Sequence, residues 1–154
     1  MRRWPMPNTA STPSDRHQTA NAAHGWRLAG LIFVFIWFFI GGIAHFAITD
    51  TEMRIVPPYI PWPRAAVLGS GVFELLGAAG LLWRPTRSGS GWGLFALTIA
   101  VTPAHVYMLQ RPELFNVPYW ALVARFPIQL ALLALILWST ATARGPTENA
   151  QGGI

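Results

Sequence analysis

Four long runs of apolar residues constrain this chain more than any other feature. They cover roughly Trp26–Phe46, Ala65–Trp83, Gly91–Leu109 and Tyr119–Ser139. Each is close to the ~20 residues that cross ~30 Å of hydrocarbon at 1.5 Å per residue. None alternates apolar with polar residues, so the strands of a transmembrane barrel do not fit. A soluble core would instead scatter its apolar residues at helical or strand spacing. Hydrophobic residues make up 53% of the 154, and charged residues only 11%, against about 25% charged in soluble domains. The sequence therefore predicts one all-α domain, an antiparallel four-helix transmembrane bundle, with helices over about 26–46, 65–83, 91–109 and 119–139.

The flanks differ sharply from the spans. Residues 1–25 are polar and rich in Pro, Ser, Thr and Asn, which predicts a disordered tail, and 141–154 read as a flexible tail. The first apolar run is too long for the core of a signal peptide and no Ala-x-Ala site follows it, so it is expected to stay as a helix.

The formal charge of +5 comes from arginine alone, since the chain has no lysine. The arginines lie at the ends of the spans and not along one polar element, which argues against nucleic acid as a partner. Arg2, Arg3, Arg16, Arg27, Arg84, Arg87 and Arg144 fall on one side. Arg54, Arg64 and Arg111 fall on the other, offset by Asp50, Glu52 and Glu113. The positive-inside rule then predicts a multi-pass protein of the inner, or cytoplasmic, membrane with both termini in the cytoplasm. Trp26, Trp83, Trp92 and Trp138 would mark the inner interface, and Trp62, Tyr107, Tyr119 and Trp120 the outer one. With no cysteine, disulfides, thiol redox chemistry and thiolate metal sites are excluded.

The connections have distinct character. Arg84-Pro85-Thr86-Arg87-Ser88-Gly89 is expected as a tight turn, and Gln110–Pro118 as a short outer link. The longer outer loop carries Pro57, Pro58, Pro61 and Pro63, which remove donors and hold the chain extended. With Tyr59, Ile60 and Trp62 in it, this loop is either a stiff interfacial strap or a lid, in which Tyr59 and Trp62 would cover an outer cavity.

Ionisable side chains inside a span are costly, at about 2.5–3.5 kcal/mol for Asp, Lys or Arg at a helix centre. The candidates for a ligand site are His45, Glu74, His105, Arg125 and Gln129, and the predicted helix directions put all of them in the outer half. Glu74, for example, lies about ten residues, or ~15 Å, in from Arg64. Ala66, Ser70, Glu74 and Ala78 form a stripe of mostly small residues that should face another helix. Ala121, Arg125 and Gln129 share one face, and Thr98, Thr102 and His105 another, with Pro103 and Pro127 freeing backbone carbonyls nearby.

Glu74 and Arg125 have three readings: a structural ion pair, the centre of a ligand or proton site, or no contact with each other. The histidines have a plainer reading as interfacial side chains, and Gln129 as glue between helices. No helix carries His-x-x-x-His or Glu-x-x-His, so neither a metal nor haem is expected.

Several of these segments together resemble the DoxX family of small four-helix membrane proteins. The resemblance runs from about Gly41 to Trp138. It rests on Gly41-Gly42-Ile43-Ala44-His45-Phe46, the Pro-Pro-Tyr-Ile-Pro loop segment, Gly71-Val72-Phe73-Glu74-Leu75-Leu76-Gly77 with Gly80-Leu81-Leu82, the Arg-Pro-Thr-Arg segment, Pro103-Ala104-His105-Val106-Tyr107-Met108, and Arg125-Phe126-Pro127-Ile128-Gln129. It implies a four-helix membrane fold. Because the family takes its name from a subunit of a thiosulfate:quinone oxidoreductase, it also brings in a quinone as candidate ligand.

Two functions are carried forward. One is a membrane subunit that binds a small amphipathic ligand, with a quinone as the candidate and no covalently bound cofactor. Such a subunit would have no catalytic activity alone, and a partner redox protein or membrane complex would supply any redox centre. The other is a non-catalytic scaffold or assembly factor whose buried Glu/Arg cluster is structural. Oligomers are compatible with either.

Overall fold

The computed structural model describes residues 13–141, which are mostly helical with no strand among them. The elements are α1 (Pro13–Ala47), α2 (Thr49–Met53), α3 (Pro63–Leu82), α4 (Arg84–Ala100), α5 (Thr102–Gln110), a 3-10 turn (Pro112–Leu114) and α6 (Tyr119–Thr140). Four helical stretches are long and apolar enough to cross a membrane: His24–Ala47, Pro63–Leu82, Arg84–Gln110 and Tyr119–Thr140. α1 packs on α3 and α6, and α4 packs on the same two helices, so the four stretches close a ring. Ile36, Ile40, Phe73, Leu76 and Leu130 are exposed on its outside. An apolar belt of this kind faces hydrocarbon in a membrane protein and would be a liability in water.

The helices differ from the sequence expectation at four places, one of them the short α2, which forms within the expected outer loop. α1 begins at Pro13, so residues 13–25 are helical where a disordered tail is expected. The rest of that tail, and the C-terminal one beyond Ala141, lie outside the described residues.

The expected turn at Arg84–Gly89 is instead the start of α4. Proline fits the first turn of a helix because its missing N–H would have no partner there. Only Trp83, in an extended conformation, separates α3 from α4. Thr86 donates its hydroxyl to the Gly80 carbonyl at 2.8 Å, and Arg87 Nε donates to the Leu81 carbonyl at 3.0 Å. These bonds satisfy acceptors that the end of α3 leaves unpaired.

The third span is broken at Val101, where α5 restarts with Pro103 in its first turn. Pro103 cannot donate to the carbonyl of Ile99, so a continuous helix would lose a rung there.

The apolar core lies toward the Trp83 end. Leu31, Val34 and Phe38 of α1 meet Ala78 and Leu81 of α3, Leu94 of α4, and Leu132 and Ile136 of α6. Nearer the other end, α1 and α3 approach through glycine. A Cβ added at Gly71 would lie 2.7 Å from His45 Cβ and 3.2 Å from the Gly42 carbonyl oxygen. Lipid tails are as apolar as leucine, so close packing of small residues holds such a pair where hydrophobic burial cannot.

Gly71→Ala should therefore lower stability by about 1–3 kcal/mol through overpacking. Gly69→Ala should not, since a Cβ there meets nothing within 4 Å. Thermal unfolding in detergent micelles tests the contrast, and equal destabilisation by both would refute the close approach.

Candidate functional site

The approach of α1 to α3 sets His45 beside Glu74, with His45 Nε2 3.5 Å from Glu74 Oε1. The other ring nitrogen, Nδ1, pairs with the carboxylate of Glu52 on α2. His45 thus links two carboxylates on different helices. α1 and α2 are parted only by Ile48, and Thr49 donates its hydroxyl to the His45 carbonyl at 2.6 Å. The near-continuation of the helix brings Glu52, seven positions after His45, onto the same side. Sequence reasoning treated Glu52 only as an interfacial charge. The i to i+7 spacing is the signal that could have found it.

The second oxygen of Glu74, Oε2, is buried and accepts no hydrogen bond from the described residues. It faces Gly41, where a Cβ would come within 2.7 Å of it. Gly41 therefore gives the carboxylate its space.

Gln129 organises the facing side. Its Nε2 donates to the Thr98 carbonyl at 2.8 Å and to Thr102 Oγ1 at 2.7 Å, and its Oε1 lies 2.8 Å from His105 Nδ1. A carbonyl can only accept, so Thr98 fixes which end of the amide points at it. Oε1 then has to accept from His105, which places a proton on Nδ1. In the neutral ring, Nε2 is left as a bare acceptor. These bonds span the break at Val101 and tie α4, α5 and α6 together.

Two cavities meet at Glu74 and His105. One, of about 220 Å³, is bordered by His45, Glu52, Ser70 and the loop residues Ile55, Val56, Pro57 and Ile60. The other, of about 290 Å³, lies within the bundle and is bordered by Trp37, Phe38, Thr98, Arg125 and Gln129. All five sequence candidates border one or both cavities. Glu74 and Arg125 border the same one, yet they are not among the ion pairs of the described residues.

The loop covers the first cavity with aliphatic side chains and the fully buried Pro57. Tyr59 and Trp62 are exposed, and neither borders these cavities. Tyr59 borders a separate shallow groove with Ile99 and Tyr107. Among the described residues, no group of three His, Asp or Glu side chains is placed to hold a metal ion.

Residues 34–143 match a family described as a domain of unknown function, DUF8561. No curated protein and no solved structure matches the chain.

Gln129→Leu keeps the volume but strands His105 Nδ1, and leaves the Thr102 hydroxyl and the Thr98 carbonyl with only their long 3.5 Å bond to each other. It should cost about 1–2 kcal/mol and release His105 from its single tautomer. Nitrogen-15 shifts of labelled histidine should show the neutral ring protonated at Nδ1 in the wild type and mixed in the variant. A mixed wild-type ring would contradict the assignment.

Proposed function

The chain belongs to the DUF8561 family, and we propose that it is an integral membrane protein that binds a small amphipathic ligand between its helices. Its four spans form an antiparallel bundle in the cytoplasmic membrane. Both termini are in the cytoplasm, and the proline-rich connection before α3 lies on the outer side. A distant kinship with the DoxX proteins is part of this reading. A quinone is the candidate ligand.

The observation that carries the proposal is that Glu74 and Arg125 border one cavity without pairing with each other. Charged groups held at membrane depth are expensive, and a pair serving only as structure would be expected to close. Here Arg125 can donate to a ligand carbonyl or anionic oxygen. The bare Nε2 of His105 can accept from a hydroxyl, and Glu74 can hold a proton. The cavity suits one ring-sized head group, being near the lower end of the ~300–1,000 Å³ typical of ligand sites. Trp37 and Ile128, which border it, are also exposed on the outside of the bundle. Entry from the bilayer between α1 and α6, with an apolar tail left in lipid, follows from that. If the ligand takes part in redox work, a partner redox protein or membrane complex would supply the redox centre.

A scaffold role is the second reading, favoured by the two polar braces. Glu52–His45–Glu74 ties α1, α2 and α3, and Gln129 ties α4, α5 and α6. Buried polar groups of this sort can specify packing register.

Purified protein should bind a ubiquinone analogue saturably. Glu74→Gln and Arg125→Ala should each weaken that binding at least about tenfold, the effect of losing one charge-assisted bond of about 1.5–3 kcal/mol. Unchanged affinity in both variants would leave the scaffold reading. The orientation is checked separately by a cytoplasm-active reporter fused to the C-terminus, which should be active.

A further inference from the structure

The opposite end of the bundle holds a cavity of different chemistry, about 600 Å³ in volume. It is bordered by Arg27 of α1, Arg84 and Arg87 of α4, and Ser139 and Thr140 of α6, with His24 at its edge. Among the described residues, no carboxylate lines it. Among the carboxylate side chains described, Asp50 and Glu52 in α2, Glu74 and Glu113 sit at the other end of the molecule. Three guanidinium groups around one hollow repel each other, and an anion between them would relieve that repulsion.

Two of the three are held in place by backbone. Arg87 Nε donates to the Leu81 carbonyl at 3.0 Å, and Arg27 Nη1 donates to the Ala141 carbonyl at 3.4 Å. One such bond leaves most of the planar five-donor fork for a ligand, and that fork matches phosphate oxygens in pairs. Arg84 and Arg87 also belong to the first turn of α4, where the helix dipole adds positive potential.

The depth of the cavity is marked by tryptophan. Trp26, Trp83 and Trp92, at 70%, 67% and 60% exposure, stand around this end as an aromatic belt stands at head-group level. Arginines that merely anchor separate helix ends would not need to converge on one hollow.

We propose that this cavity binds the phosphodiester head group of an anionic phospholipid through Arg27, Arg84 and Arg87. Inorganic phosphate presents the same anionic oxygens and is the other source of this chemistry. The site is separate from the Glu74 cavities, so it stands or falls independently of the ligand bound there.

Native mass spectrometry of the full chain, released from micelles doped with phosphatidylglycerol or phosphatidylcholine, tests the proposal. Phosphatidylglycerol should be retained at least about tenfold better than phosphatidylcholine. Arg84→Gln should reduce its retention about fivefold, and Arg27→Gln with Arg87→Gln about thirtyfold, taking about 1 kcal/mol for each arginine near an anionic surface. Arg111→Gln, at the other end, should leave retention unchanged. Arg84 is exposed, so its variant still reads the cavity if the double variant does not fold. Equal retention of the two lipids, or retention indifferent to all three cavity arginines, overturns the proposal. Retention without lipid preference that millimolar inorganic phosphate abolishes overturns the lipid as source and assigns the cavity to free phosphate.

Discussion

The contact on which the rest of the structure depends is the glycine crossing of α1 and α3. In hydrocarbon there is no hydrophobic gain from pressing two apolar helices together, so the energy has to come from close atomic contact and from polar bonds. Gly42 and Gly71 supply the first. Their closeness sets up the second, because it leaves the His45 ring within reach of Glu74. Gly41 completes the arrangement by leaving room for the carboxylate that a side chain would displace. One crossing thus fixes a helix pair and a charge held at membrane depth together.

Much of this was legible in the sequence, and for identifiable reasons. The spans were readable because hydrocarbon demands a minimum run of apolar residues, a requirement set by the solvent and not by tertiary detail. Glu74, Arg125 and Gln129 stood out because polar side chains at that depth are rare. The face shared by Thr98, Thr102 and His105 was readable from helical spacing, and it is the face that Gln129 bonds.

What the sequence concealed depends on contacts between elements. Glu52 sits among Asp50, Thr51 and Arg54 and looks like one more interfacial charge until α2 is seen almost to continue α1. Tyr59 and Trp62 drew attention as large aromatic rings. The residues that border the cavity are the neighbouring Ile55, Val56, Pro57 and Ile60, and only the path of the loop decides which of them turn inward. Proline at Arg84-Pro85 reads equally well as a turn or as the first turn of a helix, and Thr86 and Arg87 settle it by bonding back to α3.

The break at Val101 has a consequence for how such a protein can change over time. In an unbroken helix, a residue inserted or re-angled near His105 would rotate every side chain along the same rod, including those packed against Leu132 and Ile136. With α5 restarted at Thr102, such a change stops at the joint. The segment that carries His105 can therefore be re-angled without turning Leu94, which packs with Leu132 and Ile136 in the apolar core.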